Sequence, residues 1–174
     1  MAIRSYTSRS EFEQYRFNPV VTILVPFALI LIQAYLPALF PRLLILDLPL
    51  IAVIFFAVAR RNPIMGAVTG ASIGLFQDML TGQPIGINGI AKTIIGYAAS
   101  SIGLQVDVEN ITTRILMNFG FSWVQSGLLF LIQHYLLGVA SYKILWLHEL
   151  YRAIFNTLIA VPIFLLLDRT KRHE

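Results

Sequence analysis

The chain has 174 residues, of which 57% are hydrophobic and only 13% are charged, and its mean hydropathy is +0.73. A soluble domain carries about 25% charged residues and cannot hide this much apolar surface, so this composition excludes a soluble protein. Because the sequence contains no cysteine, disulfides and thiol chemistry are also excluded. We therefore expect an all-α integral membrane protein that forms a single domain over residues 1–174.

The charge balance favours basic residues, with 13 Lys and Arg against 9 Asp and Glu, and the formal net charge is +4. In a membrane protein this excess indicates orientation and contact with anionic lipid, and it does not indicate nucleic-acid binding. Residues 1–18 are too polar for a cleavable signal peptide. They predict either a solvated tail or a short interfacial helix whose arginines face anionic headgroups.

Six apolar stretches approach the length of about 20 residues that a bilayer requires. The predicted membrane spans are residues 20–40, 43–59, 63–80, 87–104, 115–138 and 150–167. Pro37 and Pro41 are expected to end the first span, and Pro63 suits the first turn of the third. Residues 139–149 predict a segment at the membrane interface, and residues 168–174 predict a polar cytoplasmic tail.

The placement of Lys and Arg in the short loops predicts the orientation of these spans. With the N-terminus inside, three basic residues lie outside, namely Arg42, Lys143 and Arg152, and Lys92 lies within a span. Nine lie on the cytoplasmic side: Arg4, Arg9, Arg16, Arg60, Arg61, Arg114, Arg169, Lys171 and Arg172. We therefore expect both termini in the cytoplasm and a multi-pass protein of the bacterial inner membrane.

A ridge of glycines marks the third span. Gly66, Gly70 and Gly74 recur every four residues, so they share one helix face that carries no side chains. Such a face lets another helix backbone approach closely, which drives helix association in lipid. The ridge predicts packing against another helix of the same chain or, alternatively, docking of a partner's transmembrane helix.

Three charged residues lie within or beside the predicted spans, at a similar depth near their outer ends: Asp47, Asp78 and Lys92. Charges in a membrane are costly and are stable only when paired, so Lys92 is expected to pair with Asp78 or with Asp47. The cluster predicts either a structural link between three helices or a polar pocket or partner-contact site in the outer leaflet.

Two further polar features accompany this cluster. The connection between spans three and four is rich in helix breakers and predicts a tight turn or a shallow re-entrant loop. Its key residues are Gly82, Pro84 and Gly86. The fifth span carries a polar stripe that predicts interhelical hydrogen bonding or, alternatively, a substrate path. The stripe consists of Asn118, Ser122, Gln125 and Gln133.

Signatures of catalysis are absent from the sequence. His134, His148 and His173 do not have metal-binding spacing, and there is no P-loop or G-x-S-x-G motif. We found no internal repeat of the kind that relates the halves of many transporters. The sequence therefore predicts a protein that is not an enzyme and that holds no cofactor or metal.

The order of motifs from Asp47 to Tyr97 resembles the rod shape-determining protein MreD family. Asp47 heads a span, a short basic break closes at Pro63, and G-x-x-x-G and GLFQD end at Asp78. The Gly82–Gly86 turn and the GY pair ending at Tyr97 follow in the same order. The resemblance covers about fifty residues at the level of motifs and the whole chain in length, span number and orientation.

This resemblance implies a fold and a function. Proteins of this family are small inner-membrane subunits of the complex that elongates the rod-shaped cell wall. They bind MreC, a single-span protein, and act with MreB, RodA and a class B penicillin-binding protein. Their fold is similar to the six-helix substrate-binding subunits of energy-coupling-factor transporters. We therefore expect a non-enzymatic scaffold of peptidoglycan synthesis, with a vitamin-like small-molecule-binding transporter subunit as the alternative.

Overall fold

A computed structural model describes residues 16–17, 19–41, 45–108, 110–139, 145–169 and 171–172. In this part of the chain the fold consists of six α-helices and one short pair of β-strands. The helices are α1 (Pro19–Leu39), α2 (Leu48–Arg60), α3 (Pro63–Thr81), α4 (Ile87–Gly103), α5 (Ile111–Leu131) and α6 (Trp146–Asp168). The strands are β1 (Arg16–Phe17) and β2 (Lys171–Arg172), and a π-helical turn, Ile132–Leu136, continues α5.

Helix α2 lies at the centre of the bundle. All of its residues from Leu48 to Ala59 are buried, and α2 contacts each of the other five helices. Its sequence is apolar on every side, which is the pattern of a helix that is enclosed all round. At 13 residues, α2 is about 20 Å long, so it is shorter than the hydrocarbon core of a bilayer.

The other helices surround α2 in two groups. Helices α3 and α4 form a closely packed antiparallel pair, and α1 lies against α2 and α3. Helices α5 and α6 form a second pair, with α5 also contacting α4. The outer surface of both groups is apolar and exposed, as at Ile64, Leu158 and Leu166, whereas several charged and amide side chains are fully buried. This inside-out distribution suits a chain whose surroundings are lipid.

Two short strands join the segment before α1 to the segment after α6. Strands β1 and β2 pair in antiparallel fashion, with Arg16 opposite Arg172 and Phe17 opposite Lys171. This pairing places residues 16–17 and 171–172 on the same side of the bundle. An even number of helix crossings produces this arrangement, so it agrees with the predicted placement of both termini on one side.

The helix bounds differ from the predicted spans at several points. Helix α1 ends at Leu39, one residue before the predicted end of the first span and between Pro37 and Pro41, the two prolines that were expected to end it. Helix α5 begins at Ile111, four residues before the predicted span, because the Asn110 side chain caps it by accepting the N–H of Thr112. Helix α6 begins at Trp146, so residues 146–149 of the predicted interfacial segment belong to that helix.

Two helices in the described residues are long and apolar enough to cross a membrane, Ile111–Leu136 and Trp146–Asp168. Apolar stretches of 10 to 17 residues occur at Val20–Leu36 and Leu48–Arg60. The structure therefore supports an all-helical fold of the membrane-protein type, while the crossing of the bilayer by all six helices stays a prediction.

A buried polar network as candidate functional site

The predicted charge cluster forms around one buried ion pair. The Nζ atom of Lys92 on α4 lies 2.8 Å from Oδ2 of Asp47, and the Lys92 side chain is completely buried. Between Asp47 and Asp78, the two candidate partners of Lys92, the structure thus selects Asp47. Asp47 precedes α2 as its N-cap, and its Oδ1 accepts the N–H of Leu50 at 3.1 Å. A carboxylate at this position also stabilises the positive end of the helix dipole.

Asp47 connects α2 to α5 and α6 as well as to α4. Its Oδ2 accepts a hydrogen bond from Nε2 of Gln125 on α5. Its backbone N–H donates to Oδ1 of Asn156 on α6 at 2.9 Å. Since Lys92 and Gln125 are both buried, removing the Asp47 carboxylate would take a hydrogen-bond acceptor from both side chains at once.

Asp78 has a different role from the one expected of a partner for Lys92. Although it belongs to α3, its carboxylate caps the N-terminus of α4 by accepting the backbone N–H groups of Gly86, Asn88 and Gly89 at 2.9 to 3.3 Å. The amide of Asn88 donates a further hydrogen bond to Asp78 Oδ1 at 2.8 Å. Several N–H groups that converge on one carboxylate satisfy donors that a helix N-terminus otherwise leaves unpaired, so Asp78 fixes the start of α4 against α3.

The predicted breaker-rich turn folds around this carboxylate. Gly82 (φ 66°) ends α3 and Gly86 (φ 106°) precedes α4, and both adopt the left-handed conformation that favours glycine. Pro84 lies between them, and its carbonyl accepts the N–H of Ile87. The connection is thus a tight turn, and of the two predicted alternatives the re-entrant loop is the wrong one.

Asn88 joins the two carboxylate centres. Its Nδ2 donates to Asp78, and its Oδ1 accepts from Lys92 Nζ at 3.2 Å. The chain Asp78–Asn88–Lys92–Asp47 therefore links α3, α4 and the start of α2. With Gln125 and Asn156 these four residues form what we call the Asp47–Lys92 network. Gln33 of α1 adds the remaining helix, because its Oε1 accepts the N–H of Leu48 at 3.2 Å.

The glycine ridge of α3 packs against the backbone of α4, at the residues whose side chains form this network. An added Cβ at Gly70 would overlap the carbonyl of Lys92, and one at Gly74 would overlap the carbonyl of Asn88. At Gly66 it would overlap the Gly96 carbonyl and the Ser100 hydroxyl. The ridge is therefore covered by α4 of the same chain, which is one of its two predicted alternatives. Its surface is not open to a partner's helix.

The ridge and the network are coupled because they use the same residues of α4. The backbones of Asn88 and Lys92 contact Gly74 and Gly70, while their side chains form the Asp47–Lys92 network. The distance between the packed helices α3 and α4 therefore sets the position of the Lys92 ammonium. A side chain on the ridge would displace both α4 and the ion pair.

Only part of the predicted polar stripe on α5 enters the network. Gln125 contacts Asp47, and Ser122 Oγ accepts a 3.4 Å hydrogen bond from Nδ2 of Asn156. Asn118 is fully buried, yet neither polar atom of its side chain has a hydrogen-bond partner in the described part of the chain. Gln133 lies in the π-helical turn and is only partly buried.

Sequence analysis missed a second polar group beside the network, between α5 and α6. The carboxylate of Glu149 accepts a hydrogen bond from the Ser126 hydroxyl and pairs with Arg152 at 3.2 Å. Arg152 also donates to the carbonyl of Ile45 at 3.3 Å. The spacing in the sequence does indicate this group: Glu149 and Asn156 are seven residues apart, so they share one face of α6.

Nothing in this arrangement provides a metal site, because no group of three His, Cys, Asp or Glu residues in the described ranges is placed to hold an ion. The buried charges are held by hydrogen bonds and by ion pairs, among them Lys92–Asp47 and Arg152–Glu149. An all-helical bundle with an apolar exterior and with charges buried at helix junctions belongs to the class of helical membrane proteins.

A comparison with known families gives the class a more specific identity. The family model described as rod shape-determining protein MreD matches residues 14–170. The chain therefore belongs to the MreD family, a membrane-associated family that determines rod shape. No curated protein and no solved structure matches the chain.

Proposed function

We propose that this chain is a non-enzymatic scaffold subunit of the cell-wall elongation complex. In this proposal it binds the transmembrane helix of MreC, and it helps to organise peptidoglycan synthesis alongside MreB, RodA and a class B penicillin-binding protein. The family match across residues 14–170 is the observation that carries the proposal. The match gives no support to the alternative of a small-molecule-binding transporter subunit.

The structure supports a scaffold in a physical way. The charged groups of the network are occupied with one another, as in the Lys92–Asp47 and Asp78–Asn88 contacts. Because these polar groups form hydrogen bonds with one another between helices, they stabilise a rigid bundle. Such a bundle offers its partners a fixed apolar surface, on which helix association depends on close packing.

We further propose that the six helices cross the inner membrane with both termini in the cytoplasm. The pairing of β1 with β2 supports a common side for the two termini. The same end of the bundle carries Arg60, Arg61 and Arg114, in agreement with the positive-inside rule. Since the chain has no cysteine, single cysteines introduced at Thr7, Gln83 or Glu174 can be labelled one at a time.

In intact cells a membrane-impermeant maleimide should label the Gln83→Cys protein but neither terminal variant. Labelling of the Glu174→Cys protein in intact cells would contradict the proposed topology.

The binding function is tested by purifying the tagged chain from its host in mild detergent. A single-span partner of the MreC type should co-purify, and depletion of the chain should turn rod-shaped cells round. Rods that persist after complete depletion would contradict the proposed function.

A further inference from the structure

An apolar groove lies between α1 and α3, on the opposite face of α3 from α4. It has a volume of about 320 Å³. Most of its lining is apolar and faces outward, with Ile23 and Phe27 on α1 and Val68 and Phe76 on α3. The groove is separate from the Asp47–Lys92 network, and its floor is formed by the buried residues Ile30 and Ile73.

One end of this groove is marked by a guanidinium group. Arg60, the last residue of α2, donates hydrogen bonds to the hydroxyls of Thr22 at 3.0 Å and Thr69 at 3.4 Å. Both threonines line the groove. Among the described residues, the groups that Arg60 contacts are these neutral hydroxyls and the ring of Phe56, so its charge is not balanced by a carboxylate.

We propose that this groove binds one anionic phospholipid, with an acyl chain along the groove and the phosphate at Arg60. The match is one of charge and polarity, because a phosphate oxyanion complements a guanidinium whose partners among the described residues are all neutral. The threonine hydroxyls hold the guanidinium at the mouth of the groove and can themselves donate to phosphate oxygens. The apolar walls complement the hydrocarbon.

The length of the groove agrees with a lipid that lies in one leaflet of the bilayer. From Thr22 to Ile30 the groove follows α1 for eight residues, which is about 12 Å. The hydrocarbon core of a bilayer is about 30 Å thick, so the groove extends from one interface toward the midplane. This placement depends on the proposed topology, in which Arg60 lies at the cytoplasmic interface.

A partner's transmembrane helix is a less suitable occupant than a lipid. To balance Arg60, such a helix would need a carboxylate among its apolar residues, and a charge in a membrane span is costly. A phospholipid brings its negative charge at the interface, where the charge stays partly hydrated. Anionic lipids are also the groups that basic residues attract on the cytoplasmic side of a membrane.

The test uses the full-length chain purified in detergent, with lipid binding measured by native mass spectrometry. Phosphatidylglycerol and phosphatidylcholine with identical acyl chains are titrated separately. Arg60→Gln removes the charge and keeps hydrogen bonding, and the control Arg169→Gln makes the same change at an exposed position. Ser72→Phe fills the groove from α3, and Met79→Phe enlarges an exposed residue of the same helix outside the groove.

The wild-type protein should bind phosphatidylglycerol about tenfold more tightly than phosphatidylcholine. Both lipids present a phosphate to Arg60, but the quaternary ammonium of the choline headgroup offsets that charge and repels the guanidinium. Arg60→Gln should abolish this preference, whereas Arg169→Gln should keep it. Ser72→Phe should weaken binding of both lipids, and Met79→Phe should weaken neither. If Arg60→Gln does not fold, the wild-type preference and the Ser72→Phe pair still decide the matter.

Three results would overturn the proposal: equal binding of both lipids by the wild type, an equal loss in Arg60→Gln and Arg169→Gln, or unchanged lipid binding in Ser72→Phe. If Ser72→Phe instead lost a co-purifying single-span partner while keeping the lipid, the groove would be a helix-docking site. Because lipid binding is measured on the purified chain, its failure would leave the scaffold proposal standing.

Discussion

The two helix pairs of this bundle are held together in different ways. Between α3 and α4 the contact is backbone against backbone: Gly66, Gly70 and Gly74 face Gly96, Lys92 and Asn88 in an antiparallel register with four-residue steps. Between α5 and α6 the contact is made by side chains. Ser122 pairs with Asn156, Ser126 with Glu149, and the rings of Trp123 and Trp146 stack at 5.9 Å.

This difference indicates how each pair responds to change. A backbone contact depends on the separation of the helix axes, so any side chain added on the ridge disturbs the full interface. Side-chain contacts are separate interactions, so the loss of one leaves the others in place. The α3–α4 pair should therefore be intolerant of substitution, and the α5–α6 pair should lose stability in small steps.

The largest effect is expected for Gly70→Leu. Its Cβ would overlap the Lys92 carbonyl, so α4 must move away and the Asp47–Lys92 ion pair must break. We expect loss of the monodisperse peak in size-exclusion chromatography and reduced abundance in the membrane. Gly120→Leu is the matched control, because a Cβ at Gly120 of α5 meets nothing within 4 Å. A monodisperse, abundant Gly70→Leu protein would show that the α3–α4 contact is not the rigid part of the bundle.

Lys92→Met should have the next largest effect. It leaves the buried Asp47 carboxylate without its counter-charge, which typically costs about 3–5 kcal/mol. Adding Asp47→Asn should recover much of this loss, because the double variant no longer buries a lone charge. Adding Asp78→Asn should recover little, since Asp78 caps α4 and does not contact Lys92 directly. Unfolding in detergent measures these differences, and recovery by Asp78→Asn alone would contradict the assigned pairing.

Asp78→Asn by itself should have an intermediate effect. The amide keeps the shape of the side chain but loses the charge that accepts the N–H groups of Gly86, Asn88 and Gly89. We expect a loss of about 2 kcal/mol, in the range of hydrogen bonds to charged groups. Hydrogen exchange should rise at the first turn of α4 and stay unchanged in α5. An unchanged rate at residues 86–89 would contradict the capping role.

The smallest effect is expected between α5 and α6. Ser122→Ala removes the acceptor of one hydrogen bond from Asn156, and interhelical hydrogen bonds in membrane proteins average about 0.6 kcal/mol. The same unfolding measurement should therefore show a change below about 1 kcal/mol. A loss as large as that of Lys92→Met would erase the contrast between the two helix pairs.

The sequence predicted the helical part of the fold well, for a physical reason. Hydropathy reports the apolar length of each segment directly, and Pro63 and the Gly82–Gly86 turn fix the ends of α3 and the start of α4. Helix α1 ends at Leu39, between Pro37 and Pro41, the two prolines that predicted its end. Each proline lacks the N–H that would continue the helical hydrogen bonds, which is why prolines report helix ends so directly.

The candidate site was less predictable because it depends on how the helices rotate against one another. The sequence identified Asp47, Asp78 and Lys92 as costly charges, but it left open which carboxylate pairs with Lys92. It also did not reveal the amide partners Asn88 and Asn156. An amide within a span can form hydrogen bonds with threonines on the lipid-facing surface, with another helix or with its own backbone. Only the packing of α4 on α3, and of α6 against the start of α2, brings these residues together.

In-membrane photo-crosslinking tests the scaffold proposal most directly. A photoreactive amino acid is placed at exposed positions of both pairs, Ile90 and Ile94 on α4 and Leu158 and Leu165 on α6, with the buried Ile95 as the negative control. The proposal predicts that at least one exposed position captures a single-span partner of the MreC type and that Ile95 captures none. If every probe-bearing chain maintains rod shape but no exposed position on either pair captures such a partner, the proposed binding through these exposed helix surfaces is wrong.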